Sequence, residues 1–203
     1  MRKIVLTFVV LLSLGFTQVN AQVSFGIKAN ANMSNFLLSD MGKTESSMKV
    51  GASLGGIMKM EISKHFALQP ELMFHYKSSE MKTSKSAKTD FEYWGMEIPI
   101  YAVVQTQVGN GKSFIGVGPY VGFGFSAKYK AGDIDLYKKD KVTDKAVMDR
   151  FDFGLGAMLG YEFNSGIFIN GSYQFGLVDN LDANKKNATM RPQTVSFGIG
   201  CRF

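Results

Sequence analysis

From Val23 to the C-terminus the chain alternates apolar and polar residues with a period of two, the signature of half-buried β-strands. Over 23–36, Val23, Phe25, Ile27, Ala29, Ala31 and Met33 alternate with Ser24, Gly26, Lys28, Asn30, Asn32 and Ser34. Over 191–203, Val195, Phe197, Ile199, Cys201 and Phe203 alternate with Thr194, Ser196, Gly198, Gly200 and Arg202. Further strands are predicted at 49–62, 66–78, 90–107, 113–130, 150–163 and 167–178, and no helix is expected among these segments. The links alternate in length. Those at 63–65, 108–112 and 164–166 are short, and those at 37–48, 79–89, 131–149 and 179–190 are long. Long links at one end of the sheet and tight turns at the other predict an eight-stranded antiparallel up-and-down transmembrane β-barrel.

Alternation alone does not say which face points outward, but glycine does. Of 22 glycines, 14 fall on the polar face of the predicted strands, among them Gly26, Gly118, Gly122, Gly154, Gly160 and Gly200, and only Gly56 and Gly171 on the apolar face. Glycine on a solvated strand costs about 0.5–1 kcal/mol relative to alanine, so a soluble surface has no use for so many. The interior of an eight-stranded barrel has room for side chains only, and small ones suit it. The apolar face is bulky, with Leu54, Leu72, Phe74, Ile98, Ile100, Val104, Ile115, Val121, Leu155, Leu159 and Ile169. That set suits a lipid-facing band. Hydrocarbon leaves backbone groups no water, so the sheet must close on itself. Outward aromatics gather at two levels. Tyr76, Trp94, Phe125, Phe151, Phe153 and Phe175 lie toward the long links, and Phe25, Phe66, Tyr161, Phe163 and Phe203 toward the short turns. Aromatic rings favour the headgroup level, which gives two girdles.

The first 21 residues have another pattern. Arg2 and Lys3 precede an apolar run from Ile4 to Phe16, and Val19-Asn20-Ala21 ends in a small residue. A secretory signal peptide over 1–21 is expected, with 22–203 as the barrel domain. The apolar run is shorter than the about 20 residues of a spanning helix. Loss of Arg2 and Lys3 lowers the formal charge from +6 to +4. The remaining lysines are scattered, so no nucleic-acid partner is indicated. One cysteine excludes a disulfide framework, and Cys201 reads as a small apolar packing residue.

The order of several short motifs resembles the PorT-like outer-membrane β-barrel family of Bacteroidetes-type bacteria. They are Phe25-Gly26-Ile27-Lys28-Ala29-Asn30 with Asn32-Met33-Ser34-Asn35, Met96-Glu97-Ile98-Pro99-Ile100, Gly116-Val117-Gly118-Pro119-Tyr120, Asp152-Phe153-Gly154 and Tyr173-Gln174-Phe175-Gly176-Leu177. The resemblance implies an outer-membrane location, and some members are implicated in secretion or envelope assembly. It also implies that Phe203, the terminal aromatic, is an assembly signal read by the barrel-assembly machinery.

Candidate chemistry is sparse. The lumen-facing charges are Lys28, Lys59, Glu61, Glu71, Lys77, Glu97, Asp152, Glu162 and Arg202. Buried charges must pair, so one internal structural network is expected. His65 falls in a short turn and His75 faces inward, away from lipid. Gly122-Phe123-Gly124-Phe125-Ser126-Ala127 matches a dinucleotide fingerprint but lies within a strand with no following helix, so it carries no such meaning. No Cys/His cluster suggests zinc, and Asp133 with Asp135 is too little for calcium. No cofactor and no catalytic residue are assigned. The expected protein is a monomeric, non-enzymatic outer-membrane scaffold whose outside loops bind. The link 131–149, with Lys138, Lys139, Lys141 and Lys145 beside Asp133, Asp135, Asp140 and Asp144, could meet lipopolysaccharide or a protein. Two rivals stay open: a soluble periplasmic barrel holding an apolar ligand, and a lipid A-modifying barrel enzyme.

Overall fold

The computed structural model describes residues 22–39, 45–82, 88–129, 134–135, 150–178 and 189–203. The strands are β1 (Gln22–Ser39), β2 (Glu45–Glu61), β3 (Phe66–Lys82), β4 (Lys88–Val108), β5 (Gly111–Tyr129), β6 (Ile134–Asp135), β7 (Phe151–Phe163), β8 (Ile167–Gly176) and β9 (Thr189–Arg202). All pairings are antiparallel. β1 pairs with β9, which closes eight strands into a barrel, and β6 is a two-residue addition to the edge of β5. The expected signal segment 1–21 and the charged link beyond β6 lie outside the described residues.

The register fixes the shape. Cross-strand partners run from Gln22 through Glu61, Ala67, Val103, Gly116, Met158, Ser172 and Ser196 back to β1 at Asn32, a stagger of ten residues. Eight strands with that stagger tilt by about 40° and enclose a backbone cylinder of about 8 Å radius. Each residue then adds about 2.5 Å of height. Phe66 to Tyr76, Trp94 to Val104, Ile115 to Phe125 and Phe153 to Phe163 each span ten residues. The outward band is therefore about 25 Å tall, the height of a transmembrane barrel's apolar belt.

The faces are as the alternation predicts. Leu72, Ile98 and Val121 are exposed at 42%, 37% and 50%, whereas Glu97 is buried at 2%. Outward apolar and inward polar residues exclude a soluble barrel built around an apolar ligand. Cys201, read as a packing residue, sits exposed on the lipid-facing side of β9.

The turn end needs glycine at two places. Gly109 (φ 56°) begins the two-residue turn between β4 and β5, and Gly166 (φ 83°) closes the turn before β8. Left-handed backbone of this kind is available to glycine without steric cost.

At the other end the strands run further than the alternation predicts. β1 continues to Ser39, β2 begins at Glu45, β3 reaches Lys82 and β4 starts at Lys88. The expected links 37–48 and 79–89 are thus mostly strand. A backbone ladder needs no apolar period, so it persists where the alternation fades. One extra residue at Phe125 also shifts the β4–β5 register between Trp94 and Gly95. Beyond that bulge Ala127 faces inward and is fully buried, where plain alternation would place Ser126.

Candidate functional site

The lumen has three layers, not the single network expected from sequence. At the turn end Lys59, near the bottom of β2, lies 3.2 Å from Glu162 and 3.7 Å from Glu61. Arg202 approaches Glu162 at 3.0 Å, and Lys112 approaches Glu61 at 2.9 Å. Gln105 donates to the same Glu61 carboxylate at 3.0 Å. Strand ends from β2, β4, β5, β7 and β9 thus converge on two carboxylates.

Above this cluster lies an apolar septum of Ile57, Ala67, Tyr101, Val103, Phe114, Met158 and Phe168, all buried. Glycines on neighbouring strands make room for the large members. A methyl group at Gly160 would run into the Phe114 ring, one at Gly200 into Phe168, and one at Gly116 into Met158. The inward glycines are therefore the sockets of a packed plug. The sequence reading placed the glycines correctly and missed the septum. Half of its signal was legible: on β4 the inward positions 101 and 103 carry Tyr and Val, whereas the register that brings Gly116 and Gly156 to them is set by the fold.

The third layer is polar. Lys28 on β1 pairs with Glu71 on β3, which also accepts from Gln69 at 2.9 Å. Glu97 on β4 receives Lys77 at 2.6 Å, and His75 lies 3.2 Å away. Tyr120 donates to Asp152 at 3.1 Å. Asn30 donates to Ser53 at 2.9 Å, and Ser34 meets Thr194 at 3.1 Å. A cavity of about 20 Å³ lies among Lys28, Asn30, Ser53, Glu71, His75 and Glu97. That is room for about one water, whose probe sphere occupies about 10–15 Å³. Glu97 Oε2, Asn30 Oδ1 and Asp152 Oδ1 have no hydrogen-bond partner among the described residues. A water is the size of guest that could serve the two of them beside the cavity, Asn30 and Glu97.

The predicted site residues thus divide. Lys59, Glu61, Glu162 and Arg202 form the turn-end cluster, whereas Lys28, Glu71, Glu97 and Asp152 lie beyond the septum with Lys77. Sequence reasoning missed Gln69, Gln105 and Lys112, whose amide and ammonium groups complete the two clusters. His65 is exposed at the turn end, with Nδ1 3.3 Å from the Gln105 carbonyl. His75 is buried opposite Ser53 on β2. Serine, histidine and carboxylate therefore follow one another here, but beside a cavity too small for a lipid or any organic substrate. Among the described residues no group of three or more His, Cys, Asp and Glu side chains is placed to hold a metal. Phe203 stands exposed on the outer face, and its backbone pairs with that of Phe25 across the closing seam.

Residues 16–182 match a family described as an outer membrane protein beta-barrel domain. No curated protein matches the chain in sequence. Among solved structures, the fold is similar to the outer membrane protein OprG of Pseudomonas aeruginosa, at 11% identity and a TM-score of 0.54, over 89% of this chain and 96% of that one. Neisserial surface protein A is similar at 17% identity and a TM-score of 0.47, over 90% and 99% of the two chains. Ail, the attachment invasion locus protein of Yersinia pestis, gives 16% identity and a TM-score of 0.44 over 90% and 99%. Identities this low bear on the fold alone.

Proposed function

The chain belongs to the outer membrane protein beta-barrel domain family and is an outer-membrane barrel, and from that premise we propose that it is a non-enzymatic scaffold that holds binding loops above a sealed lumen. The septum of Tyr101, Phe114, Met158 and Phe168 carries this reading. Among the described residues it fills the lumen between two ion-pair clusters. The charges on either side then act as fillers that fix strand register, and among the described residues the lumen beside them has room for about one water. The long-link end faces outward and the short turns face the periplasm, the usual disposition of such barrels. Within the family the motifs favour the PorT-like branch, with a role as an accessory in secretion or envelope assembly, and Phe203 acts as the C-terminal assembly signal. Lipopolysaccharide is the partner nearest the loops.

Planar-bilayer recordings and lipid A profiling test the scaffold together. Purified protein should give no ion channel, and the simultaneous replacement Phe114→Ala, Met158→Ala and Phe168→Ala should create one. Cells expressing wild type or His75→Ala should show the same lipid A profile. Conductance in the wild type, or a lipid A species that disappears with His75→Ala, would overturn the reading. Proteins captured on the intact barrel after mild detergent extraction, and lost on deletion of 136–149, would identify the client of the loops.

A further inference from the structure

The outer face is not uniformly bulky. On β8 the outward position 171 is glycine, where Ile169 and Tyr173 flank it along the strand. Its cross-strand partners are Leu159 on β7 and Phe197 on β9. A groove of about 480 Å³ lies on the turn side of that row and one of about 310 Å³ on the other. Both are lined by Leu159, Gly171 and Phe197, so the missing side chain joins them into one channel. Ala157, the partner of Tyr173, lines the upper part with a small side chain.

On β9 the outward residues above this channel are polar, Gln193 and then Arg191. The Tyr173 hydroxyl donates to Gln193 at 2.9 Å on the exposed face. Arg191 stands two residues further out on β9, exposed, and forms no hydrogen bond or ion pair with another described residue. Six residues separate Arg191 from Phe197, about 15 Å of height at this tilt. A guanidinium at headgroup level is suited to a phosphate, which it can bind through two parallel N–H bonds. An apolar channel running down from it suits an acyl chain.

We infer that β7, β8 and β9 form a specific site for the phosphorylated, acylated glycolipid of the outer leaflet, with a phosphate on Arg191 and one acyl chain laid over Gly171. The charge of Arg191 selects an anionic lipid, and its place at the long-link end selects the outer leaflet. This deepens the lipopolysaccharide contact proposed above and rests on the same orientation. Whole-cell labelling of Lys128→Cys with a membrane-impermeant maleimide tests that orientation by itself, so the two failures are distinguishable.

Native mass spectrometry of the full chain in mild detergent, with purified lipopolysaccharide or phosphatidylglycerol added, tests the site. Wild type should retain one glycolipid. Gly171→Leu and Arg191→Ala should each lower the retained fraction about fivefold or more. An added Cβ at Gly171 would meet Phe197 Cε1 at 3.7 Å, an ordinary van der Waals contact, so the leucine should fold. Gly56→Leu, the same change at the other outward glycine, should leave retention unchanged. Arg191→Ala keeps the test alive should Gly171→Leu misfold. Retention unaffected by Arg191→Ala, equal loss in Gly56→Leu, or equal retention of phosphatidylglycerol would overturn the site.

Discussion

Removing the Glu71 carboxylate should be among the most damaging single changes available in the barrel wall. Lys28 and Glu71 side chains are 4% and 1% exposed, and their ion pair reaches over β2 from β1 to β3. Glu71→Ala leaves the Lys28 ammonium in a water-poor interior without its counter-charge, which costs about 3–5 kcal/mol. The bond donated by Gln69 is lost as well, a further cost of about 1 kcal/mol. Replacing both partners by apolar residues of similar size, Lys28→Met with Glu71→Leu, removes the stranded charge. Desolvation then no longer opposes folding, and the double variant should lie near wild-type stability or above it. The assay is urea unfolding of barrels refolded into lipid vesicles. Trp94 is the sole tryptophan and lies exposed on the outer face at the girdle, so its fluorescence reports departure from the membrane. A loss below about 1 kcal/mol in Glu71→Ala would mean that water reaches Lys28 and that the packed-lumen argument fails. A double variant as weak as the single one would show that Gln69 and local packing, not the charge, set the cost.

Three further outcomes probe other parts of the argument. Gly200→Leu, which drives a side chain into the Phe168 ring, should destabilise by about 1–3 kcal/mol or prevent folding. Gly56→Leu, outward with its nearest neighbour at 4.0 Å, should change stability by less than about 0.5 kcal/mol; similar effects at both sites in the urea assay would contradict the inward-socket account. Val121→Arg, outward within the apolar band, should cost about 2–4 kcal/mol in vesicles, whereas Val108→Arg at the turn end should cost about 1 kcal/mol or less; equal costs would place the bilayer elsewhere. Deletion of Phe203 should lower the folded, heat-modifiable barrel in outer-membrane fractions, and normal levels would remove its role as assembly signal.

What the alternation conveyed, and what it could not, follows from where each residue finds its partner. An outward position such as Leu72 or Ile98 answers to lipid, a uniform solvent, so its identity alone reports its face. The turn at Gly109-Asn110 is similarly local, since the left-handed backbone needs only the residue that adopts it. An inward position answers to residues on other strands, and that is a matter of register. Nothing around Gly160 in the chain announces the Phe114 ring that fills its socket from β5, and Lys59 at position 59 gives no hint of Glu162. Once the ten-residue stagger is known, though, Glu97, Gly122 and Asp152 fall on one rung, and the glycine between two carboxylates ceases to be a mere small residue. A methyl group there would lie 3.2 Å from Glu97 Cγ and 3.3 Å from Asp152 Cβ, tighter than ordinary contact. The composition of the inward face therefore foretold that the lumen would be crowded and charged, while the stagger decides which charges meet. The same logic explains the strand ends beyond Ser78 and before Phe91. There the backbone ladder continues, and a ladder leaves no trace in the order of polar residues.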